Sequence, residues 1–172
     1  MLKKFIGLLF AFLLMGCNNL SIPNPMESFQ ESDKMTTSVD SENEVIGIGS
    51  SKIGSSGTLV ANGKASREAK DRLKSKILSE EDIIFKSFLV SADPYTKKIL
   101  SSALPDLMDY TATQLVQKSV EKDNWTENNK VYVVYSISKN EILAESQNIF
   151  IQYIDDINSK FQLIKEGVTQ TQ

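Results

Sequence analysis

The sequence predicts an α+β domain in which a short antiparallel sheet is backed by helices. Val45–Gly49 is a short β-branched run closed by glycines, and Val131–Ile137 is dense in β-branched and aromatic residues, as strands are. Between and after these runs, apolar residues recur at helical spacing. The predicted order is strand, helices, β-hairpin and a long C-terminal amphipathic helix.

The composition restricts the chemistry that the chain can perform. Its 172 residues include 19 Lys+Arg, 22 Asp+Glu, a single Cys and no His. The absence of His excludes Ser-His triads and His-ligated zinc, and a single Cys cannot form an internal disulfide. A net charge of −3 argues against a nucleic-acid partner. We therefore expect no enzymatic activity, no cofactor, no metal, no nucleic acid and no small-molecule substrate.

The first 16 residues are predicted to be a signal peptide. Lys3 and Lys4 precede the run Phe5–Met15, which is apolar apart from Gly7. This run is shorter than the roughly 20 apolar residues that cross a bilayer, and it fits the apolar region of a secretory signal. An ordinary secretory signal, or a membrane helix that happens to end near a Cys, is the alternative.

Residues 14–17, Leu-Met-Gly-Cys, resemble the lipobox of bacterial lipoproteins. The resemblance implies cleavage between Gly16 and Cys17 and lipid attachment to the Cys17 thiol. Each buried methylene contributes about 0.8 kcal/mol, so two or more acyl chains hold a protein stably on a membrane. Asn18 stands where enteric lipoproteins retained in the inner membrane carry Asp, which favours the outer membrane. Periplasmic and cell-surface orientations both remain open.

Residues 17–44 are predicted to be the lipidated Cys and a flexible tether. The segment is rich in Ser, Asn, Glu and Asp and contains Pro23 and Pro25. A flexible coil of this length has a root-mean-square reach of about 30 Å, enough to lift a domain clear of lipid headgroups. The domain itself is placed at residues 45–167, and residues 168–172 form a tail.

The first helical region follows residues 50–63, which are predicted to be a Ser/Gly loop. From residue 64, apolar residues recur every four positions, and two of them are small enough to let the helix lie close to a sheet: Ala65, Ala69, Leu73 and Ile77. Ser79, followed by Glu80, Glu81 and Asp82, predicts a fresh N-cap with acidic residues in the first turn of a second helix.

Two prolines divide the middle of the chain. Asp93-Pro94 predicts a new helix start, and the helix Tyr95–Leu104 is expected to stop at Pro105. An extended segment is predicted from Thr111 to Trp125.

The C-terminal part is predicted to contain a hairpin and a helix. Residues Glu127–Asn129 are typical of a turn and are predicted to join the extended segment to Val131–Ile137. The final helix, 139–166, has Gly167 as its C-cap and this apolar stripe: Leu143, Phe150, Ile154, Ile157, Phe161 and Ile164.

Three segments together resemble the LPP20-type bacterial lipoproteins, small envelope proteins that include flagellum-associated members. They are Val45–Ser51, the helix from Ala65, and the block from Thr111 that contains VYVVYSISKN. The resemblance spans roughly residues 45 to 150, although a Pro-x-Trp that many members place before the first strand is absent. It implies an α+β domain at the outer membrane or in the periplasm, with no known enzymatic activity.

Motifs that could carry chemistry are incomplete. After Gly47 and Gly49, the third glycine of a dinucleotide fingerprint would fall at Lys52, so the pair is interpreted as a strand end. Ser119 and Lys122 match S-x-x-K only formally, because an offset of three on a strand places the two side chains on opposite faces.

The acidic groups also fall short of a site. Asp106 and Asp109 are too few oxygen ligands for calcium. The adjacent pair Asp155-Asp156 is interpreted as a solvated helix face. The sequon Asn124-Trp125-Thr126 is interpreted as part of a turn, and Trp125 as a core or hairpin residue.

Two functional hypotheses follow from these observations. The first is a non-enzymatic, lipid-anchored envelope protein that associates with itself or with other envelope proteins, such as a flagellar basal structure. The anchor, the resemblance and the apolar strand Val131–Ile137, which could join a shared sheet, support it. The second is a surface-displayed lipoprotein that binds an external or host ligand, for which the long polar tether is the main support.

Overall fold

The structure is a computed structural model that describes residue 40, residues 42–90 and residues 92–169, with side chains described as far as residue 166. Its elements are β1 (Glu44–Lys52), α1 (Gly57–Phe88), α2 (Pro94–Lys118), β2 (Val120–Glu127), β3 (Lys130–Ser138) and α3 (Lys139–Thr169). The predicted α+β class, with a hairpin and a long C-terminal helix, is confirmed.

The sheet has the strand order β1-β3-β2, and both pairings are antiparallel. Asn128 and Asn129 join β2 to β3 with φ angles of 49° and 59°, the left-handed backbone that a two-residue hairpin turn of type I′ requires. The predicted hairpin is therefore confirmed. Since β3 is paired on both edges, a sheet shared with another molecule would have to extend from an edge strand, β1 or β2.

Helix α1 packs so closely on β1 that there is no room for a Cβ atom on the strand at two contact positions. A Cβ atom at Gly47 would overlap the carbonyl oxygen of Ala69, and one at Gly49 would overlap that of Ala65. Ala65 and Ala69 are fully buried. The predicted close approach between a helix with small residues and the sheet is thus confirmed, and glycine is required on the strand side of the contact.

The first helix is longer than expected at both ends. Strand β1 extends to Lys52 and α1 begins at Gly57. The predicted loop over residues 50–63 is therefore wrong, since only the four residues 53–56 connect the two elements. The predicted helix start at Ser79 is also wrong. The Ser79 hydroxyl donates to the Ser75 carbonyl, 3.2 Å away and one turn earlier, within a continuous helix.

Helix α2 begins as predicted and continues past the predicted end. The Asp93 carboxylate accepts from the backbone N–H groups of Tyr95 and Thr96 at 2.9 and 3.1 Å, the bonds of an N-cap. Pro105 lies exposed inside the helix instead of ending it. Residues 111–118, predicted to be extended, are its last two turns, because burial of Leu115 in the core outweighs the β-branched character of this stretch.

The three helices share two of the three apolar clusters among the described residues; the third lies between α1 and β3 and contains Ala61, Ala65, Val131 and Val133. The inner cluster, next to the sheet, contains Val45, Leu73, Ile77, Ala112, Leu115, Ile137 and Ile142. The outer cluster lies farther along the helices and contains Phe85, Leu89, Leu100 and Leu104, with Phe88, Leu107, Met108, Phe150, Tyr153, Ile154 and Ile157 packed against it. All three helices contribute to both clusters.

Helix α3 continues through Gly167 to Thr169, so the prediction that Gly167 caps it is wrong. Within the part of the chain that the structure describes, no helix combines the length and the apolar character needed to cross a membrane.

Candidate functional site

The two site residues predicted from the sequence, Gly16 and Cys17, lie outside the described residues. The predicted signal peptide, and the tether before residue 40, lie outside them as well. The candidate sites below therefore belong to the folded domain alone.

A buried polar layer separates the two apolar clusters. Each helix contributes one residue to it: Glu81 from α1, Thr111 from α2 and Ser146 from α3, all fully buried. On α1 the layer falls between Ile77 of the inner cluster and Phe85 of the outer cluster. The Thr111 hydroxyl is satisfied by the Leu107 carbonyl, 2.7 Å away. The other two members of the layer are not satisfied in this way.

Glu81 is the most perturbed acid among the described residues. Burial raises its pKa to about 8, the negative charge of Asp109 acts in the same direction, and Lys74 and Ser146 oppose the rise. The Lys74 ammonium is 2.7 Å from the Asp109 carboxylate. Neither carboxyl oxygen of Glu81 has a hydrogen-bond partner, and the nearby Ser146 hydroxyl does not reach hydrogen-bond geometry with it. At pH 7 the protonated, neutral form of Glu81 therefore predominates.

This arrangement suits proton binding better than catalysis. A side chain with no exposed surface cannot reach a substrate, but it can couple its protonation to the packing of the helices around it. Ionisation of Glu81 would place a charge between two apolar clusters, at a large cost in free energy. A change of pH should therefore alter the stability of the helix packing around this layer.

A shallow groove of about 380 Å³ lies where β1 begins. Its lining mixes acidic, basic and apolar side chains: Glu44, Val45, Ile46, Lys76, Ser79, Glu80 and Lys139. Partial burial and the nearby Arg72 charge lower the pKa of Lys76. With two acidic and two basic residues in its lining, the groove has balanced formal charges.

The single tryptophan stacks on the sheet. The rings of Trp125 and Tyr132 are nearly parallel, with centroids 5.1 Å apart, and the Trp125 Nε1 is buried without a hydrogen-bond partner among the described residues. These residues are opposite one another on β2 and β3. The pair therefore fixes the hairpin, as expected for a hairpin residue.

The formal motifs are not assembled into sites. The Ser119 hydroxyl donates to the Val116 carbonyl at 2.7 Å at the end of α2, whereas the Lys122 ammonium pairs with Glu44 at the same distance. Asp109 pairs with Lys74 and not with Asp106. Over the described ranges, no three His, Cys, Asp or Glu side chains gather as a metal ion would need.

The last described part of α3, residues 158–166, which we call the α3 extension, is exposed at every position. Phe161 is 59% exposed and Ile164 is 63% exposed. Exposed apolar side chains grouped in this way are typical of surfaces that bind other proteins.

Sequence reasoning missed Glu81, although its signal is visible in the sequence. The stripe Ala65, Ala69, Leu73, Ile77 continues at the same spacing through Glu81 to Phe85, and every member is buried. Ser79 and the acidic neighbours of Glu81 give this stretch the local signal of a helix start, which hides the place of Glu81 on the buried face.

No protein-family model matches the chain, and no curated protein matches it. The similarity to LPP20-type lipoproteins remains a prediction from the sequence.

Proposed function

We propose that this protein is a non-enzymatic bacterial envelope lipoprotein, anchored in the outer membrane through Cys17 and acting in assembly through its α+β domain. The observation that carries the proposal is the sequence of the first 17 residues, in which lysines, an apolar run and Leu14-Met15-Gly16-Cys17 follow one another. In this proposal Cys17 becomes the first residue of the mature chain and bears the lipid.

The folded domain supports an assembly role. It exposes Phe161 and Ile164 on the α3 extension, which gives it a surface that other proteins can bury. The similarity to LPP20-type lipoproteins agrees with a structural role in the envelope, including association with a flagellar structure.

Replacement of Cys17 tests the anchor. Cys17→Ala should abolish incorporation of radiolabelled palmitate and release or mislocalise the protein, because no thiol remains to carry the diacylglyceryl group. Asn18→Ala, at the adjacent position, is the matched control and should be labelled as the parent is. If Cys17→Ala partitions into the membrane as the parent does, the anchor is wrong. If the unaltered protein takes up no palmitate, residues 1–16 act as an ordinary signal instead.

A surface-displayed binding protein is the second candidate function. It is favoured by the length and polarity of the predicted tether, which would carry the domain away from the membrane. Protease added to intact cells separates the two functions, since a surface domain is removed and a periplasmic domain is spared. A periplasmic marker protein must remain intact in the same sample for the result to count.

A further inference from the structure

The second half of α3 carries a continuous apolar seam. Its members follow one another at alternating intervals of four and three residues: Phe150, Ile154, Ile157, Phe161 and Ile164. Such spacing keeps apolar side chains along one line of a helix and is typical of helices that pack lengthwise on another helix. The seam as a whole is therefore built for helix packing.

Within the described part of the chain, only the first part of the seam is covered. Ile154 and Ile157 pack against the outer cluster, and the ring of Phe150 lies 6.0 Å from that of Phe85 and 5.1 Å from that of Phe88. Helix α1, against which α3 packs, ends at Phe88. It therefore does not continue alongside α3 far beyond Phe150. The seam then continues onto the α3 extension, where its residues are exposed.

We propose that the α3 extension packs against the α3 extension of a second copy of this chain, with Phe161 and Ile164 of each copy in the contact. A second copy presents the same apolar seam. A two-fold axis between the copies would place the α3 extension of each against that of the other. The contact continues the helix packing that the first part of the seam already makes inside each molecule. This inference rests on the proposed anchor, which concentrates copies on one membrane.

The size of the contact predicts its strength. Nine helical residues span about 14 Å, and two such segments bury less than the roughly 1,200 Å² of a stable protein interface. Pairing should therefore be weak between copies in dilute solution. Copies anchored on one membrane meet at a higher effective concentration. More of them are then paired, although the contact itself buries no additional surface.

The position of the extension also favours a neighbouring protein over lipid. Lys139, the first residue of α3, donates its N–H to the Asn43 carbonyl at 2.9 Å, so α3 starts where the predicted tether meets β1. The far end of the extension lies about 40 Å along the helix from that point. A helix that lies on lipid has a broad apolar face beside a basic one. The seam here is narrow, and Lys165 is followed directly by Glu166.

Disulfide crosslinking of the full-length protein in its own membranes tests the contact. Cys17 is the only Cys in the chain and is consumed by the proposed lipid, so an added Cys reports on its own position. Asn158→Cys and Lys165→Cys flank the seam, and Ser159→Cys lies on the opposite side of the same exposed segment. On mild oxidation, a parallel pair should give dimers with each of the first two variants alone. An antiparallel pair should give dimers only in cells that carry both, because it brings position 158 of one copy to position 165 of the other. Neither arrangement should give dimers with Ser159→Cys.

Phe161→Glu should lower the yield of dimer about tenfold, because the contact would bury an unpaired charge. Gln162→Glu adds the same charge beside the seam and should leave the yield unchanged. Because both side chains are exposed, neither change should unfold the domain, which a melting curve checks. Equal crosslinking at 158, 165 and 159, or dimers unaffected by Phe161→Glu, would overturn the proposal.

Two further measurements keep the possible failures apart. In the first, a dye is attached to Asn158→Cys and lipid-bound quenchers are added. If the dye is quenched and no dimers form, the extension lies on the membrane surface and the proposal is overturned. The anchor is scored separately by palmitate labelling. If labelling fails while the contrast between positions 158 and 159 persists, the contact stands and the anchor is wrong.

Discussion

Gly49 on β1 packs against the carbonyl oxygen of Ala65 on α1 without room for a side chain between them. Ala65 is itself fully buried, so neither partner of this contact can grow. The same relationship recurs one helical turn later between Gly47 and Ala69. Helix and strand are therefore held at a distance that their smallest residues set.

Gly49→Ala should destabilise the domain by about 3 kcal/mol, because the added methyl group forces α1 away from the sheet. Gly63→Ala is the matched control. A Cβ at residue 63 meets no atom within 4 Å, and alanine in a helix is favoured over glycine by about 1 kcal/mol. Urea unfolding curves of the two variants should move in opposite directions. Curves that move together would show that the contact is loose.

The stability of the domain should fall as the pH rises from 4.5 to 8. The folded pKa of Glu81 is about 8 and its usual value is 4.5, so between these values the folded state holds a proton that the unfolded chain has released. Each rise in pH across this window therefore favours unfolding, by at most about 5 kcal/mol in total. Below pH 4.5 the contribution is fully present, and above pH 8 it is fully lost.

Glu81→Gln should flatten this dependence and make the domain more stable than the parent at pH 8, since an amide cannot ionise. Glu80→Gln, one residue earlier in the groove lining, is the control and should keep the slope of the parent. Free energies of unfolding measured from pH 5 to pH 8 provide the test. A parent protein whose stability does not change across this range would refute the neutral, buried state of Glu81.

Loss of the ring stacked on Trp125 should be visible in fluorescence. Tyr132→Ala removes that ring, so the emission of the single tryptophan should shift to longer wavelength and stability should fall by about 1 to 2 kcal/mol. Tyr95→Ala removes a ring that is 73% exposed and should change neither property. An unshifted emission in Tyr132→Ala would show that another group shields the indole.

The N-cap of α2 can be tested with a pair of changes at Asp93. Asp93→Ala removes the acceptor for the N–H groups of Tyr95 and Thr96 and should lower the melting temperature. Asp93→Asn keeps an acceptor and should stay close to the parent at pH 7.

The charge of this cap gives it a pH dependence of its own. The hydrogen bond from Thr96 lowers the pKa of Asp93, so the stability that its charged form contributes is present above its usual pKa of 3.8 and is lost as the pH falls through the lower folded value. Asp93→Asn should lack this loss in acid. If all three proteins melt alike at pH 7, the helix does not depend on its cap.

The strands and the start of α1 could be predicted because local pattern and tertiary packing agree there. Val131–Ile137 has the residues of a buried strand, and Ala65 and Ala69 have the size that a close helix contact demands. Local signals failed where packing overrides them. Pro105 carries the signal of a helix end, but Leu104 and Leu107 on either side of it belong to the outer cluster and hold the helix together.

Glu81 illustrates why the candidate site was harder to predict than the fold. Three acidic residues in a row after Ser79 are the usual start of a helix, and a buried carboxyl is rare. Its burial depends on where α2 and α3 cross α1, which the spacing along one helix does not specify. The exposed end of the seam on α3 is another such case, because only the length of α1 decides which part of the seam is covered.

The strand order has a consequence for how the chain folds. Among the described strands, β1 pairs only with β3, with Glu44 opposite Ser138 and Lys52 opposite Lys130, so most of the domain's sequence lies between the two partners. Pairings between such distant segments are slow to form. Strand β1 can therefore pair only after β3 has been synthesised. In a chain that ends before Lys130, Val45 and the side of α1 that carries Leu73 would lack the β3 residues that bury them. Such fragments should aggregate instead of folding.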